Sequence, residues 1–306
     1  MARAYVYREH GGPEVEGLAD LPRPVPGPGQ VLVEVRAAGV NPVDWKRRTG
    51  YTPPGAPPEA LPAVFGSEVS GRVAEVGPGV TDFAPGDAVF GNPITGGYAE
   101  YTLLPVQLSA RKPSDVSFQD AATLPVAAAT AYDALQQLGL PPGSTLLITG
   151  VGGGVGVAAA QIARHAGLRV VGTASAAKKD LVGSLGVIHV EPGPGTAGRV
   201  RAAAPGGIDA IVDLVGGTAL EEVAEVLGDR AKLVTAADRA TVATLGGVWV
   251  ARARNREVLD AVARLVTEGV LDPHVTQTFP LAEAGRALRV VEEGHAQGKI
   301  VIEVPG

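Results

Sequence analysis

Short runs of alternating apolar and polar residues, punctuated by Gly and Pro, fill the first ~120 residues. Val31-Leu32-Val33-Glu34-Val35 follows the turn-rich stretch 24–30, and 71–76 runs into Gly77-Pro78-Gly79. Stretches 87–90 and 98–103 repeat the pattern, so short strands at even spacing predict a small antiparallel β-barrel or sandwich. The texture changes near Asp120: residues 121–139 are Ala-rich and predict a helix broken at Pro125. From Ser144 onward, apolar runs at 144–150, 169–175, 208–217 and 231–237 alternate with helical stretches at 155–167, 178–186 and 219–228. Buried strands separated by helices of this length predict βαβ units and a doubly wound parallel sheet. After residue 253 come two helical stretches, 257–269 and 281–294, and a closing strand from Lys299. The expected boundaries are therefore 1–125, 126–252 and 253–306.

Composition narrows the class. The chain has 306 residues, enough for two domains, with 45% hydrophobic and 19% charged residues. Lys and Arg number 26 against 32 Asp and Glu, a formal charge of −6 with no basic run, which argues against a nucleic-acid or anionic-membrane surface. There is no cysteine, so disulfides, thiolate nucleophiles and Cys-based metal sites are excluded. The start carries Arg3, Arg8 and Glu9 with no apolar run behind them, and no window holds 18 apolar residues. Neither a secretory leader nor a membrane span is expected, and the expectation is a cytoplasmic protein. The five histidines, at 10, 165, 189, 274 and 295, have no metal-binding spacing, and no Ser sits in a G-x-S-x-G elbow.

The chemistry is concentrated in one turn. Strand Leu146–Thr149 and the helical run from Val157 flank Gly150-Val151-Gly152-Gly153-Gly154-Val155-Gly156. A strict GxGxxG ending at Gly156 fails at Val151, whereas GxxGxxG fits at Gly150, Gly153 and Gly156. Such glycines serve either a plain structural turn or close approach of backbone N–H groups to a pyrophosphate; their place in a βαβ run favours dinucleotide binding. An NAD site has an acid at the end of the next strand, to bond the ribose hydroxyls. Here that strand ends in Ala174-Ser175-Ala176-Ala177-Lys178-Lys179. A hydroxyl and two ammonium groups suit a 2′-phosphate and point to NADP(H), unless the lysines are only solvated helix-start charges.

Taken together, Ala37 to Asp44, PAVFGSEVSGRVAEVGPGV, FAPGDAVFG, GGYAEY, GGGVGVAAAQIA, VVGTAS and HAQGKIVIEV run end to end in an order that resembles the zinc-free quinone oxidoreductases of the medium-chain dehydrogenase/reductase superfamily. The resemblance implies an α/β protein: a GroES-like β-barrel catalytic domain, a Rossmann domain, and a C-terminal segment returning to the first domain. Zinc-dependent members hold a catalytic metal through Cys, His and Cys; those positions carry Asn41, Ser67 and Val126 here, and a short loop, 92–95, replaces their structural-zinc lobe. Asn, Ser and Val cannot supply zinc's usual ligands, so no metal is expected.

Without a Lewis acid, the reaction suited to a nicotinamide is hydride transfer to an acceptor that delocalises the resulting charge, a quinone or an enone, whose oxygen then needs only hydrogen-bond donors. The implied function is an NADPH-dependent, metal-independent reductase of such small molecules. An enoyl reductase for a pathway intermediate and a non-catalytic NADPH-binding protein are the alternatives. Asn41 is the expected donor or orienter, though Asn before Pro42 also suits a turn. Tyr51 either stacks on a planar substrate or caps its loop within 49–61. Asp44 either orients a neighbour or pairs with Lys46 or Arg47. The turn residues Gly150, Gly153, Gly154, Val155 and Gly156, with Ser175 and Lys178, are expected at the cofactor, and the resemblance adds Asn41, Thr130, Gly216 and Lys299, where Thr130 is otherwise an ordinary buried helix residue and Lys299 faces either the site or only the surface. The chain lacks the aromatic residue that relatives carry near the adenosine phosphate, since 189–195 reads without one. Relatives commonly form homodimers by edge-strand pairing, and 247–250 is the candidate strand.

Overall fold

The computed structural model describes residues 1–52 and 60–305. The chain divides into two compact units: Met1–Val126 with Arg254–Thr267 and Val275–Gly306, and Ala127–Ala253 with Glu268–His274.

In the first unit, β1 (Ala2–Tyr7), β2 (Glu16–Leu21), β3 (Gln30–Gly39), β4 (Ala63–Val64), β5 (Val69–Val76), β6 (Ala88–Gly91), β7 (Tyr101–Pro105) and β8 (Ser109–Arg111) succeed one another. β1 is the centre of a three-stranded sheet, β2-β1-β4. β3 is the trunk of the larger sheet, pairing antiparallel with β5 and β7. Its ladder with β5 shifts register between Leu32 and Val33 and again between Val35 and Ala37. Such bulges bend a strand and increase its twist. Val31, Leu32, Val33 and Val35 are all fully buried, so β3 is covered on both faces here rather than on one face alone.

Tyr98 to Glu100 differ from expectation. β7 starts only at Tyr101, and the Tyr98 carbonyl instead accepts from the Tyr5 N–H at 2.8 Å. β1, β2 and β4 are not anticipated by the sequence pattern; β1 lies in the stretch considered only as a possible leader. The helix expected over 121–139 is divided: α2 (Phe118–Ala121), a π turn (Leu124–Ala128) around Pro125, then α3 (Ala129–Leu138). Proline lacks the N–H an α-helix would use there.

α1 (Pro42–Arg48) follows directly on β3. Pro42 is pre-set for the first helical turn, and the Asp44 carboxylate accepts from the Asn41 N–H at 2.9 Å. Arg48, the last residue of α1, is 1% exposed. It donates to Glu16 at 2.8 Å, to both oxygens of Glu292 at 2.9 and 3.0 Å, and to the Gly11 carbonyl at 3.2 Å.

The second unit is one parallel sheet. β9 (Thr145–Thr149), β10 (Arg169–Thr173), β11 (Ile188–Val190), β12 (Ala210–Asp213), β13 (Leu233–Thr235) and β14 (Val248–Trp249) lie in the order β11-β10-β9-β12-β13-β14. The intervening helices are α4 (Gly154–His165), α5 (Lys179–Ser184), α6 (Thr196–Ala203), α7 (Gly217–Ala224) and α8 (Arg239–Thr244). This is the doubly wound order whose ligand crevice opens at the carboxyl ends of the central strands. Leu147, Val171, Val190, Ile211 and Leu233 form the core on one sheet face.

The C-terminal segment supplies α9 (Arg256–Thr267), β15 (Val275–Pro280), α10 (Ala284–Glu292) and β16 (Lys299–Glu303) to the first unit. β16 pairs antiparallel with the end of β3, Val301 opposite Gly39 and Ile302 opposite Ala38. Continuing that register brings Lys299 beside Asn41.

Candidate active site

In the first unit, three segments meet at the end of β3. Val126, Ser67 and Asn41 converge, as the alignment with zinc-ligand positions expects, but what they surround is Glu68. The Glu68 carboxylate is fully buried. One oxygen accepts from Asn41 Nδ2 and Lys299 Nζ, both at 2.8 Å, and the other from the Val126 N–H at 2.7 Å. Lys299 is 3% exposed and also donates to Asn41 Oδ1 at 2.8 Å and the Val40 carbonyl at 3.0 Å.

An ammonium has three protons, and these three acceptors match them. Lys299, expected either at the site or at the surface, is a buried cation bound to Glu68 and Asn41. The same contacts fix the amide of Asn41, with Oδ1 toward the ammonium and Nδ2 toward Glu68. Nδ2 also lies 3.4 Å from Ser67 Oγ.

Asp44 is buried and does not form the surface pair with Lys46 or Arg47 that the sequence allows. Its carboxylate turns inward, accepting from the Asn41 N–H and from the Tyr98 hydroxyl, each at 2.9 Å. Burial pushes its pKa up to about 6. Bonds from Asn41, Tyr98 and Ser67 pull it back down, while the Glu68 charge adds to the rise. The Tyr98 phenol is held well above its ordinary range by burial and by Asp44. Tyr51 stands apart from this buried cluster: its ring is 44% exposed and its N–H donates to the Lys46 carbonyl at 2.9 Å. Most of its loop, residues 53–59, lies outside the described residues.

Sequence reasoning misses Glu68 and Tyr98 as site residues. Both stand within the family motifs, and the available signal is an acid just before the apolar and small residues Val69-Ser70-Gly71 that begin β5, a buried charge in need of a partner. The partner lies 231 residues away and becomes visible only through strand register.

In the second unit, Gly150 takes φ +67°, a left-handed conformation open to glycine. A side chain at Gly156 would come within 2.5 Å of Val151 Cα and 2.6 Å of the Gly150 carbonyl, so glycine lets α4 pack against the turn. Gly153 caps α4 with no side-chain bond, and there is no acid in the first turn that opens with Gly154, Val155 and Gly156. The amides at this helix start are thus free of a competing anion, the condition for phosphate. Lys178 lies across the turn: a Cβ on Gly152 would meet its Cδ at 2.7 Å. Burial lowers the pKa of its ammonium. Ser175 is exposed and starts the short turn that carries Lys178.

A cavity of about 300 Å³ lies at the ends of β9 and β10, lined by Thr149, Thr173, Pro192, Gly193, Thr196 and Thr218 among others. Its wall thus includes the stretch that lacks an aromatic. Gly216, at φ +79°, donates its N–H to both oxygens of the buried Asp213, at 3.1 and 3.2 Å. Hydroxyls of Thr149 and Thr235 bond the same carboxylate at 2.7 and 2.6 Å, anchoring the turn after β12 from beneath. Thr130 is buried in α3. A nicotinamide dinucleotide fits this unit by its open helix start, its close-packed glycines and its adjacent ammonium. When bound, the cofactor supplies hydride. Among the described residues, no group of three His, Cys, Asp or Glu could hold a metal, and no helix is long and apolar enough to cross a membrane.

The parallel sheet with its glycine turn, joined in one chain to a β-rich unit with a buried polar pocket, defines an NAD(P)-binding oxidoreductase architecture. Residues 27–114 match the alcohol dehydrogenase GroES-like domain family, and 194–302 the zinc-binding dehydrogenase family. Quinone-oxidoreductase QR1 of Triphysaria versicolor is 32% identical over 330 residues, covering 99% of this chain and 98% of that protein. The NADPH-dependent alkenal/one oxidoreductase of Arabidopsis thaliana is 32% identical over 98% of this chain and 79% of its own length. The quinone oxidoreductase structure from Coxiella burnetii superposes with a TM-score of 0.90 at 30% identity, covering 99% of each chain. The polyketide synthase GfsB of Streptomyces halstedii is 36% identical over 90% of this chain, which spans only 5% of that much longer protein. The chain belongs to the quinone oxidoreductases of the medium-chain dehydrogenase/reductase superfamily.

Proposed function

We propose that this chain is an NADPH-dependent reductase that passes hydride to quinones, enones or other activated C=C and C=O acceptors without a catalytic metal. The observation that carries the metal-free reading is the Lys299 ammonium, bonded to Asn41 Oδ1 and Glu68 where the three zinc-ligand positions converge. A fixed positive charge there opposes entry of a second cation and leaves Asn, Ser and a backbone amide as the local chemistry. Asn41 and Ser67 then offer hydrogen bonds rather than Lewis acidity to an acceptor oxygen, enough for a substrate that spreads its own charge. Tyr51 serves as a stacking surface for a planar substrate.

The preference for NADPH rests on the missing acid after β10 and on Lys178 and Ser175 beside the glycine turn. Gly150, Gly153, Gly154, Val155, Gly156, Gly216 and Thr130 form the rest of the cofactor site. The protein is further proposed to be a cytoplasmic homodimer joined through β14, an edge of its sheet. The match to polyketide synthases favours a second reading within the same chemistry, an enoyl thioester as acceptor.

The test uses protein stripped with a chelator and mixed with NADPH and a panel of quinones, enals, enones and enoyl thioesters. Loss of reduced-nicotinamide absorbance above the blank, unchanged by the chelator, is expected. No turnover on any acceptor, or activity restored only by added zinc, would overturn the proposal.

A further inference from the structure

We propose that the cavity at the ends of β9 and β10 selects the base of the cofactor, with Glu222 accepting a hydrogen bond from the exocyclic amino group of adenine. The inference rests on the cofactor reading above and adds to it a residue that chooses among bases. Thr149 runs directly into the glycine turn, Thr173 lies two residues before Ser175, and both threonines line the cavity. A dinucleotide with its pyrophosphate on that turn and its ribose phosphate at Lys178 leaves the base for this space. The volume of about 300 Å³ suits one flat heterocycle.

One wall is a face of α7. Thr218 and Glu222 stand four residues apart, as do Ala219 and Val223, so all four line the cavity from one side of the helix. Another wall is the loop between β11 and α6. Arg199 of α6 holds it, donating to the carbonyls of Glu191, Gly193 and Pro194 at 3.0, 3.0 and 2.9 Å and to Thr196 Oγ1 at 3.1 Å. Four bonds from one guanidinium fix this wall before a ligand arrives, so little ordering is left for binding to do.

The polar side chains around the cavity differ in what they have left to offer. Thr149 Oγ1 donates to Asp213 at 2.7 Å, and Thr196 Oγ1 to the Gly193 carbonyl at 2.5 Å. Thr173 Oγ1 accepts from the Gly150 N–H at 3.3 Å. Glu222 is the one charged side chain among the described lining residues. It is partly buried, and its carboxylate makes no hydrogen bond or ion pair with any described residue. An ionised carboxylate only accepts, so it repels phosphate and calls for an N–H donor. Adenine carries an amino group at C6, where a 6-oxopurine carries an oxygen. The same acid therefore attracts the one base and repels the other.

The test needs no turnover. Dissociation constants are measured by reduced-nicotinamide fluorescence for NADPH and for its analogues with unsubstituted purine or hypoxanthine in place of adenine. The wild type should bind the purine form about 10-fold more weakly than NADPH, the loss of one bond to a charged acceptor, and the hypoxanthine form more weakly still. The amide of Glu222→Gln donates to an oxygen as readily as it accepts from an amine, so in that variant NADPH and the hypoxanthine form should bind nearly alike. A merely structural Glu222 would change all three affinities together and keep their order.

If the wild type binds the three forms equally, or if their order survives in Glu222→Gln, the base selection is wrong and the cofactor reading stands. If the wild type binds none of them, the cofactor reading fails and the role of Glu222 falls with it.

Discussion

At the scale of single residues, the site is organised by charges that cannot be left alone. Glu68 is fully buried, and Lys299 is its cationic partner. Removing one member of such a pair strands the other in a medium that solvates it poorly, at a cost of roughly 3–5 kcal/mol. Lys299→Met should therefore lower the urea midpoint sharply, and Glu68→Gln in the same chain should recover a large part of the loss. If the two losses simply add, the pair is not coupled and this account of the pocket is wrong. Lys178 is a different kind of cation, half-buried over Gly152, and in the proposed cofactor site it meets the 2′-phosphate. Losing one charge-assisted bond costs roughly 1.5–3 kcal/mol. Lys178→Ala should weaken NADPH binding by about 10- to 100-fold and barely affect NADH, measured by fluorescence titration. Equal losses for both coenzymes would contradict the assignment.

At the scale of elements, legibility follows locality. The βαβ run is readable because each strand and helix carries its own period, and the glycine turn because it is a contiguous string. Gly156 makes this testable: a methyl there would press on Val151 and the Gly150 carbonyl, both backbone and unable to swing aside. Gly156→Ala should push α4 off the turn, weakening both coenzymes alike and lowering the melting temperature of the protein. By contrast, the place of β1 in its sheet depends on a partner far along the chain, with Val64 of β4 opposite Val6. The cluster around Glu68 is hidden for the same reason. Asn41, Ser67 and Val126 can be aligned with ligand positions, but that Lys299 joins them follows only from β16 lying antiparallel to β3. Asp44 looks like a surface helix residue in the sequence because its neighbours Lys46 and Arg47 offer ready partners; the inward choice depends on Tyr98, 54 residues on.

At the scale of the whole molecule, these buried groups make folding stability depend on pH in a direction opposite to the usual acid case. A salt-bridged carboxylate normally has a lowered pKa and stabilises the fold above it. Asp44 is the reverse: its folded value is raised from 3.8 to about 6. Between these two values the folded chain binds more protons than the unfolded one, so stability falls as pH rises from about 4 to about 6 and stays reduced above that. A shift of about two units corresponds to roughly 3 kcal/mol. Asn at this position can still accept from the Asn41 N–H and the Tyr98 hydroxyl but does not ionise. Asp44→Asn should therefore gain stability over the wild type by roughly 3 kcal/mol between pH 4 and pH 7 in denaturant melts, since other titrating groups contribute equally to both proteins and cancel. A gap independent of pH would show that Asp44 ionises as easily in the folded chain as in the unfolded one.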